Sequence, residues 1–276
     1  MKIIGTGSVL PKKVVTNDML SEFLDTSDEW IRTRTGVRSR HIISDEKLED
    51  MAIGAAQKAL ADAGMSASDL DYIICSNVVN EFITPQLSCI IQGGIGASCP
   101  CIDINCACAG FIYALEIAES FYKAGRVRNV LVVCAEEPTR MTDWSDRRTC
   151  VLFGDGAGAA VLAPGDNIKS IKLSASSATD KLWQYRLLHP TPYITKEESD
   201  VPLQMKGQDV FKFAVKAASK DISRTLQEAG RSADEVDHYL LHQANVRIIS
   251  AIRDYLEQPS EKFPVNITDH GNSSSS

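Results

Sequence analysis

A twelve-residue stretch of this chain recurs 166 positions further on (226 minus 60). Leu60-Ala61-Asp62-Ala63-Gly64-Met65-Ser66-Ala67-Ser68-Asp69-Leu70-Asp71 falls without a gap on Leu226-Gln227-Glu228-Ala229-Gly230-Arg231-Ser232-Ala233-Asp234-Glu235-Val236-Asp237, and six of the twelve positions are identical. Unrelated segments would share roughly one at ordinary residue frequencies. Each copy reads as the end of an amphipathic helix, a glycine cap, a polar loop and then an apolar strand, at 72–75 and 238–241. The repeat implies a duplicated α/β unit with halves near 1–164 and 165–276. Helices alternating with apolar strands predict largely parallel sheets with helices on their faces. Sites in such folds gather at the carboxyl ends of strands.

Just past the second repeat's strand stands His242, in Leu240-Leu241-His242-Gln243-Ala244-Asn245. Its counterpart in the first repeat is Ser76. A histidine that replaces a serine at a strand end, in one copy only, is a functional candidate; the bland alternative is a satisfied core histidine. A second candidate is Cys108, in Asp103-Ile104-Asn105-Cys106-Ala107-Cys108-Ala109-Gly110-Phe111. There an apolar strand passes through small residues into a helix expected from about Cys108 to Lys123. Phe111, Leu115, Ala118 and Phe121 or Tyr122 would form its apolar face, with Gly125 as C-cap. A thiol in the first turn meets unpaired N–H groups and the positive end of the helix dipole, and both favour the thiolate. Its bland alternative is a small buried filler.

All eight cysteines lie between Cys75 and Cys150. Cys75 and Cys134 fall inside apolar strand-like runs, which suits reduced thiols better than a disulfide framework. Cys99, Cys101, Cys106 and Cys108 are spaced C-x-C and C-x-C, unlike the C-x2-C pairs of common zinc sites, so no metal is expected. The net charge of −7 argues against a nucleic-acid binder. The chain lacks an apolar run of about 18 residues, the length that would cross a membrane, and its N-terminus lacks a secretory pattern; a cytoplasmic protein is expected. Positive charge is nevertheless clustered. Arg32, Arg34, Arg38 and Arg40 crowd one stretch, and Arg147-Arg148 another. Lys212, Lys216, Lys220 and Arg224 form a stripe at four-residue spacing. Each is a solvated face or a docking point for phosphates or an acidic partner.

Three segments taken together resemble one family. Cys108-Ala109-Gly110-Phe111, His242-Gln243-Ala244-Asn245 and Gly271-Asn272-Ser273-Ser274 look like the active-site motifs of β-ketoacyl-acyl-carrier-protein synthase III, of the thiolase superfamily. Ser27 to Gly36 resembles the family's N-terminal coenzyme A segment, and Phe153-Gly154-Asp155-Gly156-Ala157-Gly158-Ala159 its Gly-rich strand. The latter is not G-x-G-x-x-G, so a dinucleotide loop is not indicated. The resemblance spans essentially the whole chain. It implies a five-layer αβαβα fold from two duplicated halves, a homodimer, and Cys108, His242 and Asn272 as catalytic residues. Cys106 stands where the family has a small residue and reads as packing.

By the same resemblance, Trp30, Arg34, Arg147, Phe211 and Asn245 would bind acyl-coenzyme A, a substrate rather than a cofactor. Lys212 and Arg247 would meet malonyl-acyl-carrier protein. Thr84 replaces a bulky aromatic found in some members and should open the acyl channel to longer or branched primers. The family continues past Ser276 with a helix and a pair of strands; the 276-residue form is therefore expected to leave its second half incomplete. Three alternatives stand beside a condensing enzyme of fatty-acid synthesis: a relative in secondary metabolism, an inactive copy, and a papain-like protease. The last shares the order Cys, His, Asn, with the histidine 134 residues downstream (242 minus 108), but lacks the C-G-[SA]-C-[WY] context.

Overall fold

The computed structural model describes residues 1–186, 191–193 and 201–276. Its strands are β1 Lys2–Val9, β2 Lys13–Thr16, β3 Ser39–Ile42, β4 Tyr72–Ser76, β5 Cys101–Ile104, β6 Val130–Glu136, β7 Gly156–Ala163, β8 Leu182–Trp183 and β9 Gln204–Met205. Its helices are α1 Asn17–Ser21, α2 Asp28–Thr35, α3 Leu48–Ala63, α4 Leu87–Ile95, α5 Gly110–Lys123, α6 Gly207–Ala229, α7 Val246–Leu256 and α8 Ile267–His270. No helix among the described residues is long and apolar enough to cross a membrane.

A five-stranded sheet ordered β1-β7-β6-β4-β5 forms the centre. Every residue of β6 is buried. Because successive side chains point to opposite faces, Leu131, Val133 and Ala135 enter one core with α3 and α4, while Val130, Val132 and Cys134 enter another with α5. The sheet is thus covered on both sides. Helix α3 lies unusually close to β1. A Cβ on Gly5 would stand 2.5 Å from the Ala59 carbonyl, and one on Gly7 2.3 Å from that of Ala55.

The sheet is mixed rather than largely parallel. Strands β4, β5 and β6 run parallel, but β7 is antiparallel to both β6 and β1. The physical reason is the connection: a short 3-10 turn, Pro138–Met141, and loops join β6 to β7. A parallel return would need a packed crossover helix.

The two copies of the repeat close in the same way. Gly64 and Gly230 adopt φ of +63° and +66°. Each leaves its helix with paired backbone bonds, Met65 N to Leu60 O and Arg231 N to Leu226 O, at 3.0 and 2.9 Å. A capping box follows in both, Ser66 with Asp69 and Ser232 with Glu235. The copies then part. Tyr72–Ser76 pairs with strands on both sides, whereas the strand expected at 238–241 joins no ladder among the described residues. Tyr239 N donates only to Lys262 O, at 2.7 Å, and Leu240 is 82% exposed. An apolar run becomes a strand only where a neighbour offers its backbone, and here that neighbour is a loop.

Candidate active site

Strand β5 ends at Ile104 and the chain turns before α5. The helix expected from Cys108 begins at Gly110; residues Ala107–Ala109 form a 3-10 turn instead. Ala107 holds φ of +46°, a left-handed conformation that costs a residue with a Cβ roughly 1–2 kcal/mol. Gly125, at φ +69°, closes the far end of α5. Cys108 is exposed, and the Ser274 hydroxyl donates to its Sγ at 3.8 Å.

Protein nevertheless crowds that thiol. Desolvation pushes the Cys108 thiol above its usual range, the Glu136 carboxylate adds to the rise, and the Ser274 bond opposes it. This corrects the expectation of a favoured thiolate. The α-helix starts two residues later than expected, at Gly110, and lost hydration outweighs its pull.

Asn272 is buried. Its N–H donates to Leu152 O at 2.9 Å, its carbonyl accepts from Gly154 N at 3.1 Å, and it bridges Phe153 in parallel. The Gly-rich segment makes this seat. A Cβ on Gly154 would stand 2.1 Å from the His270 carbonyl. The Asn272 Oδ1 accepts from Ser274 N at 3.0 Å. Its Nδ2 has no protein acceptor among the described residues, so it remains available as a donor.

His242 is exposed, yet the protein around it displaces part of its hydration. Desolvation lowers its pKa to about 4, so the ring is neutral near pH 7. It makes no hydrogen bond to Cys108 or Asn272 among the described residues. The loops that carry His242 and Asn272 are joined next door: Gln243 Oε1 accepts from Asn266 N and Ile267 N at 3.1 and 3.4 Å, and its Nε2 donates to Pro264 O at 3.3 Å.

The family description 3-oxoacyl-[acyl-carrier-protein] synthase III matches residues 102–180, and that of its C-terminal part matches 226–276. The β-ketoacyl-[acyl-carrier-protein] synthase III of Xanthomonas campestris is 43% identical, over 99% of this chain and 86% of the relative. That of Geobacillus kaustophilus is also 43% identical, over 99% and 85%. The chain belongs to the synthase III family. Among solved structures, the Aquifex aeolicus synthase III superposes with a TM-score of 0.89 at 42% identity, over 99% of this chain and 86% of that one. The Thermus thermophilus enzyme gives 0.92 at 34%, over 99% and 86%. This synthase III therefore has the thiolase-like fold and is an acyltransferase of fatty-acid biosynthesis. The protease, secondary-metabolism and inactive-copy readings are not favoured.

The remaining sequence candidates of this synthase III fall into separate places. Two guanidinium groups stand over the Trp30 ring, Arg34 at 4.6 Å and Arg147 at 4.9 Å from its centre. Arg147 also donates to the Asp25 carbonyl and pairs with its carboxylate at 3.2 Å. A cleft of about 470 Å³ lined by Leu24, Asp25 and Ser145 to Arg148 opens beside them. Arg247 lies 5.8 Å from the Phe211 ring, next to a groove of about 590 Å³ that includes Lys212, Lys216 and Lys220. Asn245 is occupied with structure: Oδ1 accepts from Arg247 N at 2.8 Å to cap α7, and Nδ2 donates to Arg34 O at 3.0 Å. Thr84 is exposed in the loop after β4, beside Phe82 and Ile83. Sequence reasoning passed over Glu136. Its one signal is an acidic residue closing the all-apolar run Val130–Ala135.

Proposed function

We propose that this synthase III condenses an acyl-coenzyme A with malonyl-acyl-carrier protein, the initiating step of fatty-acid synthesis, through an acyl group carried on Cys108. The observation that carries the reading is the seat of Cys108: a solvent-reachable thiol on a left-handed turn, touched by Ser274 of the segment that holds Asn272. Cys108 Sγ attacks the thioester carbon, and the thiol proton leaves with the coenzyme A sulfur. Backbone N–H groups, including that of Cys108, hold the oxyanion. Malonyl-carrier protein then loses carbon dioxide. The enolate that forms bears charge on its thioester oxygen, and the His242 Nε2–H and Asn272 Nδ2 donate to it. A neutral imidazole can donate there without a carboxylate partner, and the desolvated His242 is neutral at working pH. The enolate carbon attacks the acyl-Cys108 carbonyl, and Cys108 departs as thiolate.

Trp30, Arg34 and Arg147 would take the adenine and phosphates of coenzyme A, with Phe211 and Asn245 further along its path. Planar, bidentate guanidinium groups suit both tasks. Lys212 and Arg247 would meet the acidic carrier protein. Thr84, smaller than an aromatic, would admit longer or branched primers. A homodimer is supported by the open edge strand β5, where Ile102 is exposed, and by exposed Phe82, Ile83 and Ile112; free edges and apolar surface are ordinarily covered. The halves 1–164 and 165–276 and a cytoplasmic setting complete the reading.

The test is incubation with acyl-coenzyme A and mapping of the adduct by mass spectrometry. One acyl group per chain on Cys108 is expected. A stoichiometric adduct on another cysteine, or none on folded protein, would sink the assignment.

A further inference from the structure

Glu136 ends β6 with a side chain almost wholly removed from water, 2% exposed. A buried carboxylate without a cation is costly, and among the described residues no Lys or Arg pairs with it. Its oxygens are spent on two turns. Oε2 accepts from Val78 N at 3.1 Å, in the turn that follows β4. Oε1 accepts from the Ser275 hydroxyl at 2.6 Å, and that hydroxyl also meets Ser76 Oγ at 3.2 Å. The β4 turn is further fixed to the end of β6 by Asn77 Nδ2, which donates to Ala135 O at 2.6 Å. Ser274, next to Ser275, donates to Cys108 Sγ. The same carboxylate therefore anchors both the turn after β4 and the segment whose Ser274 touches the thiol.

We propose that Glu136 is a positioning residue for Cys108: through Val78 and Ser275 it fixes where Ser274 meets the sulfur, and it places a buried acid without a cation behind the nucleophile. The proposal rests on reading Cys108 as the nucleophile. The titratable groups around Glu136 are Cys134 on its own strand, Cys75 on β4 and Cys108 in the turn before α5, with Asp103 of β5 beyond Cys75. All carry no charge or negative charge, so none offsets it. Desolvation, first, raises the Glu136 pKa to about 7, against the bonds from Ser275 and Val78 that lower it. Glu136 thus changes charge within the range where the enzyme works, and Cys108 ionises against a carboxylate above that point and a neutral acid below it.

The experiment is iodoacetamide alkylation of the intact enzyme from acid to alkaline pH, resolved by peptide mass spectrometry into separate rates for Cys108 and for exposed Cys89 as internal reference. In wild type, the logarithm of the Cys108 rate should rise as two parallel limbs joined by a shoulder near pH 7. Glu136→Gln preserves the shape: its carbonyl can accept from Val78 N and its amide can donate to Ser275 Oγ. It should erase the shoulder and move the Cys108 midpoint to lower pH, with the Cys89 profile unchanged. A folded Glu136→Gln enzyme with an unmoved Cys108 midpoint overturns the proposal. Should that variant not fold, a straight wild-type Cys108 profile overturns it equally. Alkylation reads the free Cys108 thiol of the unacylated enzyme, whether or not Cys108 is the residue that accepts acyl groups in turnover, so failure here stays distinct from failure of the acyl-adduct mapping.

Discussion

A Cβ on Gly110 would stand 1.7 Å from Ser76 Oγ and 2.7 Å from Ser76 Cβ. The first residue of α5 and the last of β4 therefore meet only because one of them has no side chain. This contact sets how closely the Cys108 turn rides on the sheet. It also gives a role to Ser76, the residue that the repeat aligns with His242. One copy uses this strand end for packing, while the other leaves a polar ring facing solvent.

Gly110→Ala is expected to destabilise the fold by about 1–3 kcal/mol, the usual cost of overpacking, and to lower Cys108 reactivity with it. Ser76 cannot retreat, because its strand is paired on both sides. Gly110→Ala with Ser76→Gly should recover part of the loss, since both clashing atoms are removed. Melting temperatures of the two variants decide it; an undisturbed Gly110→Ala melting curve would show that the turn is looser than its contacts imply.

Local features were legible in the chain and relational ones were not. Gly64 and Gly230, with their paired capping boxes, are set by residues within a few positions of each other, so the helix ends and caps of the repeat read correctly while its second strand did not form. The direction of β7 depends on how a loop returns, which apolar runs do not encode. The ionisation of Cys108 was misjudged because a helix start is visible in sequence while the surrounding protein is not. Trp30, Arg34 and Arg147 could be grouped by resemblance, but their stacking could not be drawn. Glu136 looked like the polar end of a strand; only the fold brings Val78 and Ser275 to it.

Replacing His242 or Asn272 by Ala should leave acyl transfer to Cys108 within a few-fold of wild type. Decarboxylation of malonyl-carrier protein should fall by about 100- to 1,000-fold, the usual cost of one oxyanion donor. The division follows from geometry: Asn272 Nδ2 is unspent, and neither side chain bonds to Cys108 among the described residues. Separate assays of adduct formation and carbon dioxide release would check it. Equal losses in both steps would mean that the two residues support the nucleophile instead.

Arg147 is bound to Asp25 and stacked on Trp30, so reversing its charge should disturb coenzyme A binding and little else. Arg147→Glu is expected to raise the KM for acyl-coenzyme A with kcat nearly unchanged. The difference from wild type should shrink as salt is added, because exposed charges are screened beyond about 10 Å at 0.1 M. A KM insensitive to both charge and salt would return this cluster to a solvated face.

His242 supplies the pH dependence. An ordinary histidine titrates near 6.5, but desolvation holds this one at about 4. Because the folded value is depressed, the neutral ring is the form the fold favours. Its contribution to stability is therefore present above pH 6.5 and is lost as pH falls toward 4. Catalysis should follow the same sign, since neutral His242 is the form proposed to donate to the enolate without desolvating a charge. Malonyl decarboxylation should then keep its rate through pH 6.5 and fall only on approach to pH 4. Carbon dioxide release measured from pH 4 to 8, beside the His242 ring signal in NMR, reads both. An acid limb centred on 6.5 that tracks the ring signal would show a hydrated, ordinary histidine, and the crowded setting drawn for His242 would be wrong.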